Sequence, residues 1–180
     1  MFDTNANLED DAWMFHALGN LYSDQGRLKE AEDMYLRALQ GYEKALGPEH
    51  TSALDTVNNL GNLYADQGRL KEAEGMYERA LQGYEKALGP DHTSTLLTVN
   101  NLVSLYADQG RLKEAEAMYE RALQGYEKAL HPDTLRTYIP ALNALENVGR
   151  LLEQLGATDR ALEHQGKSRF RRLVWLLIIA

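Results

Sequence analysis

The chain repeats one stretch of sequence three times at a fixed interval of 42 residues. The repeats begin at Leu18, Leu60 and Leu102 and read LGNLYSDQGRLKEAEDMYLRALQGYEKALGPEH, LGNLYADQGRLKEAEGMYERALQGYEKALGPDH and LVSLYADQGRLKEAEAMYERALQGYEKALHPD. A unit of this length cannot bury its apolar face alone, so consecutive units have to stack on one another. The repeat therefore predicts a stacked solenoid, whose long groove is a surface suited to binding.

Each unit is expected to contain two helices joined by a glycine turn. In the second unit, the apolar and small residues of the segment 57–64 keep the i, i+3, i+4, i+7 spacing of one helix face. Gly68 then ends this helix, and a second stretch with helical spacing runs over about 70–88. Pro90 stops the second helix, because proline cannot continue the hydrogen-bond ladder.

The connectors between units place a histidine and two hydroxyl residues at equivalent positions. His50 and His92 end the GPEH and GPDH turns, where we expect each to make a hydrogen bond within its turn. Two histidines one repeat apart do not form a metal-ligand set. Thr93 or Ser94 is expected to cap the helix that follows.

Small residues in the apolar stripes predict where the two helices of a unit approach each other closely. Gly61 and Ala73 are the small residues, and Tyr64 and Tyr77 supply the bulk around them. The third unit has Val103 at the position of Gly61. A valine there is expected to overpack the contact, so that Val103→Ala should raise the melting temperature.

The order L-G-x-x-Y, then G, then A-x-x-x-Y-x-x-A-L resembles the tetratricopeptide repeat. The longer period, with NNL, YADQGRLKEAE and RALQGYEKALGPDH, is similar to the 42-residue variant of kinesin light chains. It is more similar still to fungal repeat arrays that often end NB-ARC-type nucleotide-binding receptors. The resemblance covers about residues 12–133 and implies an all-α, right-handed superhelical solenoid of antiparallel helix pairs.

We expect a single solenoid domain over residues 1–180. The segment VGRLLEQLGATDRALEHQ, which begins at Val148, keeps a degenerate form of the pattern, and terminal repeats are usually atypical because they cap the stack. The expected repeat boundaries are about 12–50, 51–92, 93–133 and, for the capping repeat, 134–172.

An apolar tail, residues 173–180, follows the expected capping repeat. It is too short to span a bilayer, which takes about 20 residues of helix. We expect a terminal helix that packs on the last repeat. An interfacial membrane anchor, with Arg169, Arg171 and Arg172 at the headgroups, is one alternative. A truncated or read-through gene end is another.

Asparagines recur on the first helix of the units and form the candidate binding site. Asn58 and Asn62 are i, i+4 neighbours, rotated by about 100° from the apolar stripe. Asp66 and Asp108 lie beside this face, each two residues before a glycine. The candidate groove residues are Asn20, Asn58, Asn59, Asn62, Asn100, Asn101, Asp66 and Asp108.

The resemblance implies a role for these asparagines. In tetratricopeptide proteins this face lines the concave groove, and in kinesin light chains the corresponding asparagines contact peptide cargo. Amides both donate and accept hydrogen bonds, so a row of them can bind an extended peptide backbone. The alternative is that the amides cap and bridge adjacent repeats.

Composition and motifs exclude several other classes of function. The net charge of −8 argues against nonspecific nucleic-acid binding. The aspartates beside the groove favour a neutral to basic protein or peptide partner. There is no cysteine, no nucleophile–base pair and no phosphate-binding loop, so we expect no enzymatic activity, no cofactor and no metal. The lack of cysteine fits a reducing compartment, and we expect a cytoplasmic protein that does not bind membranes.

The sequence therefore predicts a protein–protein interaction module that binds a partner segment in its groove. The basic residues that hold a C-terminal carboxylate in chaperone-binding relatives are replaced by Asn58, Asn59, Leu97 and Asn101, so binding to chaperone tails is not expected. One alternative is a kinesin-light-chain-like cargo adaptor, although the chain has no heptad coiled coil. Another is a structural element that self-associates end to end.

Overall fold

The computed structural model describes residues 4–129, which form six α-helices and contain no strand. The helices are α1 (Thr4–Asp24), α2 (Leu28–Leu46), α3 (Thr51–Asp66), α4 (Leu70–Leu88), α5 (Thr93–Asp108) and α6 (Leu112–Ala129). The expected all-α class and the expected helix pairs are confirmed. The predicted capping repeat, 134–172, and the apolar tail, 173–180, lie outside the described residues.

The helices belong to two compact units, residues 1–90 and residues 91–180. In the first unit, α1 packs on α2, α2 on α3, and α3 on α4. In the second unit, α5 packs on α6. Each described pair is one repeat, with a short turn between its two helices, while the single domain over 1–180 stays a prediction.

Glycine turns end the first helix of each pair, as the sequence predicts. Gly68 follows α3 with a φ of +73°, a backbone conformation that glycine adopts without a steric penalty. The N–H of Arg69 donates back to the carbonyl of Tyr64 at 2.8 Å, and this bond satisfies one of the last helical carbonyls. The chain can then reverse direction within three residues and begin α4.

Histidine, rather than a hydroxyl residue, caps the first helices of the second and third pairs. The Nδ1 atom of His50 accepts from the backbone N–H of Ser52 at 3.3 Å, and that of His92 accepts from Ser94 at 3.2 Å. The expected hydrogen bond within each turn is therefore confirmed. The expected cap at Thr93 or Ser94 is wrong. Helix α5 already begins at Thr93, and His92, in an extended conformation, holds the cap position.

A tyrosine ring of the second helix lies directly on a glycine of the first helix. A Cβ atom built at Gly61 would lie 2.6 Å from Cδ1 of Tyr77, and one at Gly19 would lie 2.5 Å from Cδ1 of Tyr35. No real Cβ is tolerated at these distances, so the predicted close approach at Gly61 is confirmed. Val103, at the same position of the third pair, is 2% exposed, and its overpacking stays a prediction.

We expect Gly61→Ala to lower the free energy of unfolding by about 1–3 kcal/mol, because the added methyl group overpacks the contact with Tyr77. Gly75→Ala is the matched control, since a Cβ at Gly75 in α4 meets nothing within 4 Å. The control should raise stability by about 0.5–1 kcal/mol, because alanine favours a helix interior over glycine. Denaturant unfolding measures both, and equal stabilisation by the two substitutions would contradict the close contact.

Candidate functional site

The candidate site begins with two asparagines whose amide oxygens are held by tyrosines of the paired helix. The hydroxyl of Tyr35 donates to Oδ1 of Asn20 at 2.7 Å, and that of Tyr77 donates to Oδ1 of Asn62 at 2.7 Å. The two bonds are the same contact in successive repeats. The tyrosine that packs on the glycine therefore also orients a polar side chain on the surface of the first helix.

Both tyrosines remain donors at neutral pH. Burial, with a smaller contribution from the charge of Asp24, raises the pKa of Tyr35 to about 12. Burial likewise raises the pKa of Tyr77, with a smaller contribution from Asp66. Because neither phenol ionises near neutrality, the orientation of Asn20 and Asn62 does not change in that range.

Asn59 bridges the first helices of the two adjacent repeats in the first unit. Its Nδ2 donates to Oδ1 of Asn20 at 3.2 Å and lies 3.4 Å from Nε2 of His16. Nδ1 of His16 lies 2.9 Å from Oγ1 of Thr56, whose hydroxyl donates to the carbonyl of Ser52 at 2.8 Å. The network joins α1 to α3, so the bridging role that the sequence left as an alternative is present at Asn59.

His16 is neutral in this network, with its proton on Nδ1. The Oγ1 atom of Thr56 uses its own proton toward Ser52, so it accepts from His16, and Nε2 is left to accept from Asn59. Burial lowers the pKa of His16, an effect that the charge of Asp55 opposes in part. His16 was not among the residues predicted for the site, although it occupies the position that Asn58 holds in the next repeat.

Asp55 adds a carboxylate to the polar face of α3. The hydroxyl of Tyr84 donates to Oδ1 of Asp55, and burial, followed by this bond and the nearby charge, raises the pKa of Tyr84. The carboxylate is otherwise exposed. Asp55 was not among the residues predicted for the site. The one clue to it in the sequence was Leu97, at the same position of the next repeat, which matches a ligand-contacting position of chaperone-binding relatives.

In the second unit, Asn100 is a core residue rather than a surface one. It is 7% exposed, and its Nδ2 donates to the hydroxyl of Tyr126 at 3.0 Å. The expectation that Asn100 faces an open groove is therefore wrong. The reason is that it lies one helical turn after Leu96 and beside Val99, on a face of α5 that is fully buried.

The remaining candidates lie at or near the surface of their own unit. Asn58 and Asn101 are half-buried, and both belong to hydrogen-bond or electrostatic contacts. Asp66 and Asp108 are the exposed last residues of α3 and α5. A carboxylate at a helix C-terminus is not stabilised by the helix dipole.

Within residues 4–129, no cluster of three His, Cys, Asp or Glu side chains could hold a metal ion. None of the six helices is long and apolar enough to cross a membrane.

Consecutive helix pairs with a fixed period define a helical-repeat protein, a class that serves as a scaffold for protein interactions. The sequence model of the tetratricopeptide repeat matches residues 10–86, 52–128 and 100–169. The chain therefore belongs to the tetratricopeptide repeat family, and the predicted tetratricopeptide solenoid class is confirmed. No sequence among the curated proteins matches the chain.

Solved structures of similar fold come from kinesin-light-chain-like repeat proteins. BtubC (BKLC) from P. vanneervenii is 22% identical with a TM-score of 0.67, and the match covers 94% of this chain and 65% of that one. A kinesin-light-chain-like protein of Podosopora anserina with nearly identical TPR-like repeats is 24% identical with a TM-score of 0.70, and the match covers 90% and 73%. At under 25% identity this likeness is one of fold, and the NB-ARC context stays a prediction.

The neutral His16 predicts that stability falls under mild acid. A histidine whose folded-state pKa lies below its unfolded value of about 6.5 stabilises the fold above that pH, and the contribution is lost as the pH falls through the folded pKa. Protonation would place an N–H group of His16 against the amide donor of Asn59. Unfolding measured from about pH 8 to about pH 5 should show this loss.

The control for this experiment is His16→Asn, which introduces the residue that the next repeat has at this position. Asparagine does not titrate, so the variant should lose less stability than the parent protein over the same range. If both proteins lose stability in parallel, other groups carry the pH dependence and His16 has no part in it.

Proposed function

We propose that this tetratricopeptide scaffold binds an extended peptide segment of a neutral to basic protein along the polar face of its first helices. The distribution of charge supports the proposal most. The helices α1, α3 and α5 contain no lysine or arginine, although the second helices carry several. The polar face thus presents amides and carboxylates without any competing cation from the same helix.

The amides on this face suit a ligand that is recognised by its backbone. Tyr35 and Tyr77 fix the oxygens of Asn20 and Asn62, so these side chains lose little conformational freedom when a ligand binds. A peptide backbone supplies donors and acceptors at regular intervals, which amide groups can match. We propose Asn58, Asn59 and Asn101 as further contacts.

The carboxylates of this face supply the preference for a basic segment. Asp55 and Asp66 are exposed on α3, and Asp108 is exposed on α5. Attraction between exposed charges is screened by salt over about 10 Å at 0.1 M ionic strength. We therefore expect the affinity for a lysine- or arginine-containing peptide to fall as the salt concentration rises.

Titration of a basic peptide, selected on the intact protein from a displayed peptide library, tests the proposal. The double substitution Asn58→Ala and Asn101→Ala should leave the protein folded and weaken binding by roughly 0.5–1.5 kcal/mol for each neutral hydrogen bond lost. Gln82→Ala with Gln124→Ala is the matched control, because both are exposed amides on the second helices. The control should bind the peptide with unchanged affinity.

Two outcomes would contradict this function. Unfolding of the asparagine double variant would assign the amides to architecture. Unchanged affinity in a folded variant would show that the peptide binds elsewhere. Circular dichroism and a melting curve distinguish these outcomes before the titration begins.

We propose further that the chain acts in the cytoplasm, as a binding protein without catalysis, metal or cofactor. The support is chemical, since the sequence has no cysteine and no nucleophile–base motif. A kinesin-light-chain-like role as a cargo adaptor would use the same face and the same type of ligand.

A further inference from the structure

Ion pairs with a fixed direction join the two helix pairs of the first unit. Both carboxylate oxygens of Glu32 accept from Nη1 of Arg69 at 2.9 Å. The same junction contains the ion pairs Glu43–Arg79 and Glu49–Lys86, the latter with 2.6 Å between Oε1 and Nζ. In each case the acid belongs to the first repeat and the base to the second. The first pair thus offers an acidic side and the second pair a basic side.

At this junction the residues of the second helix pair are covered, whereas their counterparts in the first helix pair are exposed. Leu63 of α3 is 1% exposed, whereas Leu21, the same leucine one repeat earlier, is 50% exposed. Thr56 is 0% exposed, whereas Met14, at the equivalent position of α1, is 45% exposed. A preceding helix pair covers α3, and no described residue covers this side of α1.

The basic residues of the junction recur on the same open side. The counterparts of Arg69, Arg79 and Lys86, 42 residues earlier, are Arg27, Arg37 and Lys44. Arg27 pairs with Glu30 at 3.0 Å, as Arg69 does with Glu72, but has no counterpart of Glu32. Arg37 lies 5.5 Å from the centroid of the Phe15 ring. Among the described residues, no carboxylate pairs with Arg37 or Lys44.

A cavity of about 300 Å³ opens on this side of the first pair. Its lining consists of Asp11, Ala12, Phe15, Arg37, Gln40, Gly41 and Lys44. In the second pair the side chain of Leu54 packs against Gly83 at the equivalent place. Ala12 stands where Leu54 would be, so the first pair keeps room for an apolar side chain from outside.

We propose that this side of the first pair is a docking surface for an acidic amphipathic α-helix of a partner protein. This end face, as we call it, consists of Met14, Leu21, Arg27, Arg37, Lys44 and the cavity. The partner helix carries two carboxylates 11 residues apart, the spacing of Glu32 and Glu43 in α2. Eleven residues are about three helical turns, so both carboxylates lie on one face. One pairs with Arg27 and the other with Arg37.

A second copy of this chain fits the end face less well. Two end faces brought together would place like charges opposite each other, which disfavours their association. By sequence alone, Leu162 and Leu173 stand at the positions of Glu32 and Glu43 in the degenerate repeat. A partner helix with its own carboxylates supplies the ion-pair partners that Arg37 and Lys44 do not have among the described residues.

The probe for this surface is a hydrocarbon-stapled helical peptide with the sequence of residues 28–49, titrated against the full chain at low salt. It should bind saturably. The double variant Arg37→Glu and Lys44→Glu should bind at least about tenfold more weakly, because like charges then face each other. Lys71→Glu with Lys113→Glu is the matched control, with the same change in net charge at two exposed lysines.

Two further comparisons distinguish binding at the end face from binding at the polar face of the first helices. A peptide with glutamine in place of Glu32, Glu43 and Glu49 should bind more weakly than the wild-type peptide, because it has lost the attraction to Arg27, Arg37 and Lys44. The Asn58→Ala and Asn101→Ala double variant should bind the stapled peptide normally, whatever it does to a basic peptide. We expect this normal binding of the stapled peptide even if the peptide-binding function proposed for the first helices fails.

The proposal is overturned if the stapled peptide shows no saturable binding up to about 1 mM. Equal weakening by both charge-reversed variants would also overturn it, since net charge alone would then explain binding. Sedimentation of the free chain provides the remaining test. Self-association that Arg37→Glu with Lys44→Glu abolishes would assign the end face to a second copy and refute the partner helix.

Discussion

The contact between a tyrosine and a glycine within each helix pair is the constraint on which the other features depend. The ring of Tyr77 lies on the backbone at Gly61, and its hydroxyl reaches the amide of Asn62. One side chain therefore sets the spacing of the two helices and the orientation of a polar group on the surface. A substitution that moves the ring disturbs both, so core packing and the proposed binding face are not independent in this protein.

The two repeats of the first unit are also joined by polar contacts that lie near the surface. His16 and Asn59 connect α1 with α3, and Arg69 reaches back to Glu32. Exposed ion pairs add little stability individually, so their main effect is to select which surface faces which. Apolar burial at residues such as Leu63 supplies most of the free energy of stacking.

The sequence predicted the helix pairs, their ends at Gly68 and Pro90, and the close approach at Gly61, because periodicity and glycine or proline chemistry are local properties. It predicted only part of the candidate site. Helical spacing places Asn100 on a face, but whether that face is open depends on residues far along the chain, and here it is buried against Tyr126. The partners of Asn20 and Asn59 likewise come from other helices, which no pattern within one helix identifies.

The direction of the ion pairs has a consequence for how such a gene can change in length. The charges of the junction recur along the sequence, and the pair of Glu49 with Lys86 has a counterpart in Asp91 and Lys128, 3.5 Å apart. A duplicated repeat therefore brings a basic side that fits the acidic side of its new upstream neighbour. It also brings an acidic side that fits the basic side of its new downstream neighbour. Unequal recombination can add or delete whole units without further substitutions, so the number of repeats is free to drift while each joint remains intact.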